Sequence, residues 1–200
     1  MKKILALFFL AACGTHPRKA EIEPEMKPFF SEFLIQAASR GIKVPSDDII
    51  IKFGNPADGL PGVIGIVGLC IIEPRKTPVV TIDRNYWDNP GGYVDLAPER
   101  LYYGRKSLIM HEISHCMLRR HHTTARVMFS GYNIPSSLMN PYVVEADVFH
   151  QFEREYMDEL FAPQNSASIW ASIGGVLMGA GSGGLSEEPE EAHSDYLLVE

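Results

Sequence analysis

No stretch of the 200-residue chain reaches the roughly 18 consecutive apolar residues of a membrane-crossing helix, which excludes a polytopic membrane protein. Positive charge is in short supply: 18 Lys and Arg stand against 25 Asp and Glu, a formal net charge of −7. A nucleic-acid binder needs a basic face to neutralise phosphates, so no nucleic-acid partner is expected. There is no internal repeat, and cysteine is scarce, with three in all. Apolar residues make up 46% and charged residues 22%, close to globular averages, so wholesale disorder and collagen-like structure are excluded as well. What remains is a mildly acidic chain long enough for one ordinary domain with tails.

The first tail reads as an address. Lys2 and Lys3 precede a compact apolar segment, Ile4 to Ala12, too short for a permanent span and typical of a secretory signal. It ends Leu10-Ala11-Ala12-Cys13-Gly14, which resembles the lipobox of bacterial lipoproteins. The resemblance implies that residues 1–12 are a signal peptide and that Cys13 is acylated and becomes the mature N-terminus. The protein would then sit lipid-anchored in the cell envelope. Gly14, in place of an Asp, favours the outer membrane. Two cysteines remain, Cys70 and Cys116, an even pair for an oxidising compartment. They can bridge, or they can sit as two buried thiols, since both lie in apolar contexts.

Residues 13–27 are polar with two prolines and read as a tether. From Pro28, Phe29, Phe30, Phe33, Leu34, Ala37 and Ala38 recur at helical spacing, and Arg40-Gly41 supplies a stop. Three strand-like runs follow at 48–53, 63–72 and 78–83, separated by Gly, Pro and Asn. The glycines of the middle run suggest a bulge or a close approach by another backbone. An aromatic-rich irregular segment is expected over 84–104, and a helix from near Arg105 to Leu118. Residues 123–141 read as loop. Another helix is expected over 142–161, with Val144, Val148, Phe149, Phe152, Tyr156 and Leu160 as its apolar stripe. Beyond Pro163 the chain is Gly/Ser-rich and then acidic, a tail spanning 163–200. The folded domain is thus 28–162, of α+β class.

Chemistry concentrates at His111-Glu112-Ile113-Ser114-His115. On a helix, positions i and i+4 share one face, so both imidazoles can reach one ion. Glu112 lies beside the first of them, placed to polarise an attacking water rather than to bind metal. Leu108, Ile109, Ile113 and Met117 fall at helical spacing around the motif, which puts it on a helix with a buried side. Zn2+ accepts nitrogen ligands and keeps one position open in catalytic sites. Three residues are candidates for the third ligand: His121, His122 and Glu145. A straight helix would carry His122 about 10 Å along the axis from His115, so the chain must turn back after about Leu118. Arg119 and Arg120 read as a solvated helix end, favoured by the helix dipole. His150 and His193 have no metal partner nearby in sequence.

HExxH followed by His121 resembles the metzincin pattern HExxHxxGxxH, and Ser137-Leu138-Met139-Asn140-Pro141 resembles the Met-turn of that clan, with Met139 at its centre. The chain also resembles bacterial lipoprotein metallopeptidases in which HELGHC is followed by Leu, Arg and His and then by an S-x-M-N-P loop. That pattern puts the third ligand at His122, which is preferred to His121. Leu118 stands where metzincins have the glycine that turns the chain, and Tyr142 lies one position too far on to match their metal-binding tyrosine, so it is read as structural. The resemblance is close over 105–142. It implies a zincin-like metallopeptidase domain: a small twisted mixed sheet whose edge strand holds the peptide, above an active-site helix carrying the ligands. It further implies a zinc endopeptidase acting on a peptide or protein substrate, with Glu112 as general base; a monomer is expected. The alternative is a lipoprotein that keeps the zincin fold and its zinc without turnover.

Overall fold

Trp87 is the natural place to enter the core. In the computed structural model, which describes residues 20–58, 60–92, 96–162, 176–178 and 197–198, its indole is fully buried. Phe29 and Phe53 meet it edge-on, at centroid distances of 5.5 and 5.7 Å. Phe29 belongs to α1 (Lys27–Ser39), which buries Phe29, Phe30, Phe33 and Ala37. Pro28 in its first turn presets φ for helix entry. Gly41, at φ 73°, follows its end as the sequence predicts. Phe53 closes strand β2 (Ile50–Phe53). Trp87 itself sits in a short helix, α2 (Arg84–Asp88), capped by Asp83, which accepts from the Tyr86 amide at 2.9 Å.

The main sheet is mixed. It contains β1 (Glu21–Ile22), β2, β3 (Gly68–Ile72), β4 (Val79–Ile82) and β8 (Leu197–Leu198), in the order β1-β2-β4-β3-β8. β1, β2 and β4 run parallel, and β3 is antiparallel to β4. A second, antiparallel sheet joins β5 (Arg126–Phe129), β6 (Tyr132–Pro135) and β7 (Val176–Met178) in the order β6-β5-β7. The expected α+β class with a small mixed sheet is therefore present.

One long helix organises the rest. α3 (Pro98–Leu118) spans roughly 31 Å at 1.5 Å per residue. It packs against α1, β3, β4 and α4 (Ala146–Gln151), so every residue from Lys106 to Cys116 is buried. Lys106 is accommodated because its ammonium bonds both Glu32 on α1 and Glu153 on α5 (Glu153–Leu160). A Cys70–Cys116 disulfide links β3 to α3, which decides between the two readings of that pair.

Four boundaries differ from expectation. The domain starts before Pro28: Glu21 and Glu23 amides bond the Ile49 and Ile51 carbonyls at 3.0 and 2.9 Å, and Met26 is fully buried. The end of the presumed tether is thus part of the sheet and core. α3 begins at Pro98 rather than near Arg105, and Gly104 lies inside it because a Cβ there would meet Pro90 at 2.6 Å. Residues 126–135 form a hairpin turned by Ser130 and Gly131, at φ 49° and 84°. The expected 142–161 helix is two, α4 and α5, broken at Phe152. The signal segment, Cys13, His193 and most of the 163–200 tail lie outside the described residues.

Candidate metal centre

α3 places His111 and His115 one turn apart on the face that looks toward the end of the helix, with ring centroids 4.7 Å apart. The helix stops at Arg119, whose backbone takes the left-handed conformation at φ 56°, and Arg120 donates its amide back to Ser114 O at 3.3 Å. The turn therefore falls one residue after Leu118, and Leu118 stays helical. No glycine is needed where metzincins have one, because Arg119 carries the positive φ.

That reversal brings His122 over the first two rings. The three Nε2 atoms stand 3.0 Å (His111–His115), 3.0 Å (His115–His122) and 3.1 Å (His111–His122) apart. Together the three imidazoles could hold one metal ion. The outer nitrogens of two of them are already committed: His111 Nδ1 is 2.8 Å from Leu138 O, and His115 Nδ1 is 2.6 Å from Arg120 O. A carbonyl only accepts, so both Nδ1 atoms carry the proton and both Nε2 atoms keep a lone pair. Burial, with the His115 and His122 rings beside it, holds the His111 imidazole well below its usual range and hence neutral. The His111 and His115 lone pairs point at one another and at His122 Nε2, an arrangement that a cation among them would satisfy. Tetrahedral ligands about 2.0–2.1 Å from zinc stand roughly 3.3–3.4 Å apart, so the observed triangle needs to open by only a few tenths of an ångström.

The two orienting carbonyls are themselves held. Arg120 is buried, and its side chain bonds the Glu159 carboxylate, Glu159 O and Ala162 O. This corrects the reading of Arg120 as solvated. Glu159 also accepts from Ser137 Oγ at 2.6 Å, and Ser137 Oγ accepts from the Met139 amide at 3.0 Å. Burial raises the Glu159 carboxyl above its usual range in spite of those bonds. Met139 O in turn accepts from Thr123 N at 2.8 Å, tying the 137–140 loop to the segment that carries His122. Met139 is fully buried. Glu159, Arg120 and Ser137 were not legible as site residues, since nothing in local spacing connects positions 120, 137 and 159.

Glu112 lies at 5% exposure beside the cluster, and burial pushes its carboxyl up to about 8. It packs on the backbone of Gly68 at the start of β3, where a Cβ would come within 2.4 Å of its Oε1. The close approach foreseen for the glycine-rich run is thus to a side chain. His121 is exposed and outside the cluster, as is Glu145 at the start of α4. His150 stacks on Tyr103 at 4.1 Å. Tyr142, 67% exposed, lies on the rim of the cleft, its amide bonded to Asn140 Oδ1 at 3.1 Å.

The three histidines and Glu112 open into a cleft of about 250 Å3, walled on one side by Gly65–Cys70 and on the other by Tyr86 and Pro141–Val143. β8 pairs only with Ile71 and Ile72. Gly68 to Cys70 therefore meet no strand on their outer side among the described residues. Compared with known proteins, the chain matches no family model, no curated protein and no solved structure. What the centre does is read from its own side chains.

Proposed function

We propose that the chain is a zinc-dependent endopeptidase with a zincin-like fold. The carrying observation is the convergence of three imidazole Nε2 atoms beside the buried Glu112 carboxyl, in a cleft walled by Gly65–Cys70. A set of three imidazole nitrogens suits zinc among the common divalent ions. Zinc held by His111, His115 and His122 would supply a Lewis acid and lower the pKa of the attacking water. Glu112 takes the proton of that water and delivers it to the leaving amine. An extended peptide lies along the Gly68–Cys70 wall of the cleft, short of Ile71 and Ile72 where β8 pairs, and bonds it through its backbone in the manner of strand addition. Leu138 O and Arg120 O keep the imidazoles in the ligating tautomer throughout. The lipobox-like Leu10–Cys13 segment supports attachment to the envelope by acylation of Cys13.

Full chain loaded with zinc is to be compared with Glu112→Ala on denatured protein substrates. Both should hold one zinc, and only the first should cut. Stoichiometric zinc with no cleavage beyond that of the variant overturns catalysis and leaves a metal-binding lipoprotein. Radiolabelled palmitate incorporation, lost in Cys13→Ala, checks the anchor.

A further inference from the structure

A second pocket, of about 240 Å3, adjoins the metal cleft, with Tyr86 and Val143 as walls common to both. It is framed by the turn at Pro90, the first half of α3 and the start of α4. Gly104 permits that framing: a Cβ on it would strike Pro90 at 2.6 Å and touch Ala146 at 3.9 Å.

Among the described residues, three charged side chains line this pocket: Arg100, Glu145 and Asp147. Arg100 grips Asp147 with Nε and a terminal nitrogen, the first at 2.8 Å, and this pairing draws the Asp147 carboxyl below its usual range. Those two charges cancel locally. Glu145 has neither an ion pair nor a side-chain hydrogen bond among the described residues. Its field reaches the Tyr86 phenol, which burial first and Glu145 second push up to about 12. Among the described residues the pocket thus holds one uncompensated negative charge, beside apolar surfaces from Pro90, Leu96 and Val143.

Resting on the peptidase reading, we propose that this pocket is a substrate subsite for a lysine or arginine side chain, with Glu145 as the residue that selects it. An aliphatic stem with a cationic head matches apolar walls ending in a carboxylate. An acidic side chain there would meet Glu145 with no cation to spare, because Arg100 is engaged by Asp147.

The test uses zinc-loaded full chain carrying Glu112→Ala, which prevents turnover, and fluorescent peptides in which one Lys, Arg or Glu is moved position by position. At one position Lys and Arg should bind about fivefold tighter than Glu, an advantage of the size of a well-placed exposed ion pair. The preference should shrink with added salt and vanish in Glu145→Gln. In Glu145→Lys it should invert. Glu145 is exposed, and circular dichroism of both variants establishes that they fold. Charge-indifferent binding at every position, no binding at all, or a preference that survives Glu145→Lys overturns the subsite. Cleavage of the same peptides by the unmodified chain is scored separately. Selective binding without cleavage sinks the peptidase reading alone, and cleavage without charge preference sinks the subsite alone.

Discussion

Two adjacent histidines of the same chemistry have opposite fates. His122 faces His111 and His115 at 3.1 and 3.0 Å, while His121 stays on the outside of the reversal. His122→Ala should therefore weaken zinc binding by at least 100-fold in a competitive chelator titration, and His121→Ala should leave it within a few-fold of the parent. Equal losses in the two would mean the loop presents both rings to the metal. Gly68 makes a different kind of contribution. A methyl added there enters the volume of the Glu112 carboxylate, at 2.4 Å from Oε1. Glu112 must turn away, but no ligand is disturbed. Gly68→Ala is expected to lower the hydrolysis rate by about 10- to 100-fold, the span attributed to one positioned proton-transfer group, with zinc stoichiometry unchanged. A parallel fall in bound zinc would show instead that the β3 edge props up the ligand set.

At the scale of elements, the site depends on how α3 ends and what latches the returning chain. A side chain at positive φ costs roughly 1–2 kcal/mol, and most with branching at Cβ. Arg119 already carries that cost, so in urea titrations Arg119→Gly should keep or raise the unfolding free energy, whereas Arg119→Val, which adds branching at Cβ, should lower it. The latch is α5: through Glu159 it holds both Arg120 and Ser137, and so both carbonyls that orient His115 and His111. Removing partners that orient ligating histidines typically costs 10–100-fold in metal affinity. Glu159→Ala is expected to fall in that range while keeping all three imidazoles, a result that equilibrium zinc titration can read directly. This latch also marks where sequence reading stops. The HExxH turn, α1 between Pro28 and Gly41, and the three strand runs were legible because their signals are local: periodicity, capping and turn residues. The preference for His122 came from a resemblance, and the geometry agrees with it. Arg120 looked like an exposed helix end because its partner is 39 residues away. The Arg126–Pro135 hairpin passed as loop because its Asn133 and Pro135 weaken the strand pattern around Ser130-Gly131. Phe152 divides α4 from α5 with neither Gly nor Pro to announce it.

Across the whole molecule, the centre is assembled from parts that are distant in the chain and joined covalently at one point. β3 supplies the wall against Glu112, α3 supplies two ligands, and the Cys70–Cys116 bridge ties the strand to the helix one residue past His115. The bridge closes a loop of sequence separation 46, which in the chain-entropy description stabilises the fold by about 4 kcal/mol. A metal bound only by the folded state adds about 2.7 kcal/mol when free metal is 100 times its dissociation constant. The sum approaches the entire stability of many single domains, about 5–15 kcal/mol. Both constraints act on the same end of α3, yet one constrains the unfolded chain and the other rewards the folded one. Their losses should therefore accumulate. Four thermal scans check this: oxidised with zinc, oxidised with chelator, reduced with zinc, and reduced with chelator. The melting temperature should drop at each single treatment and furthest under both. The reduced, chelated chain should be the one that loses cooperative unfolding at physiological temperature. Melting curves indifferent to chelator would mean that the three histidines bind no metal of consequence, and the hydrolase reading would fail with them.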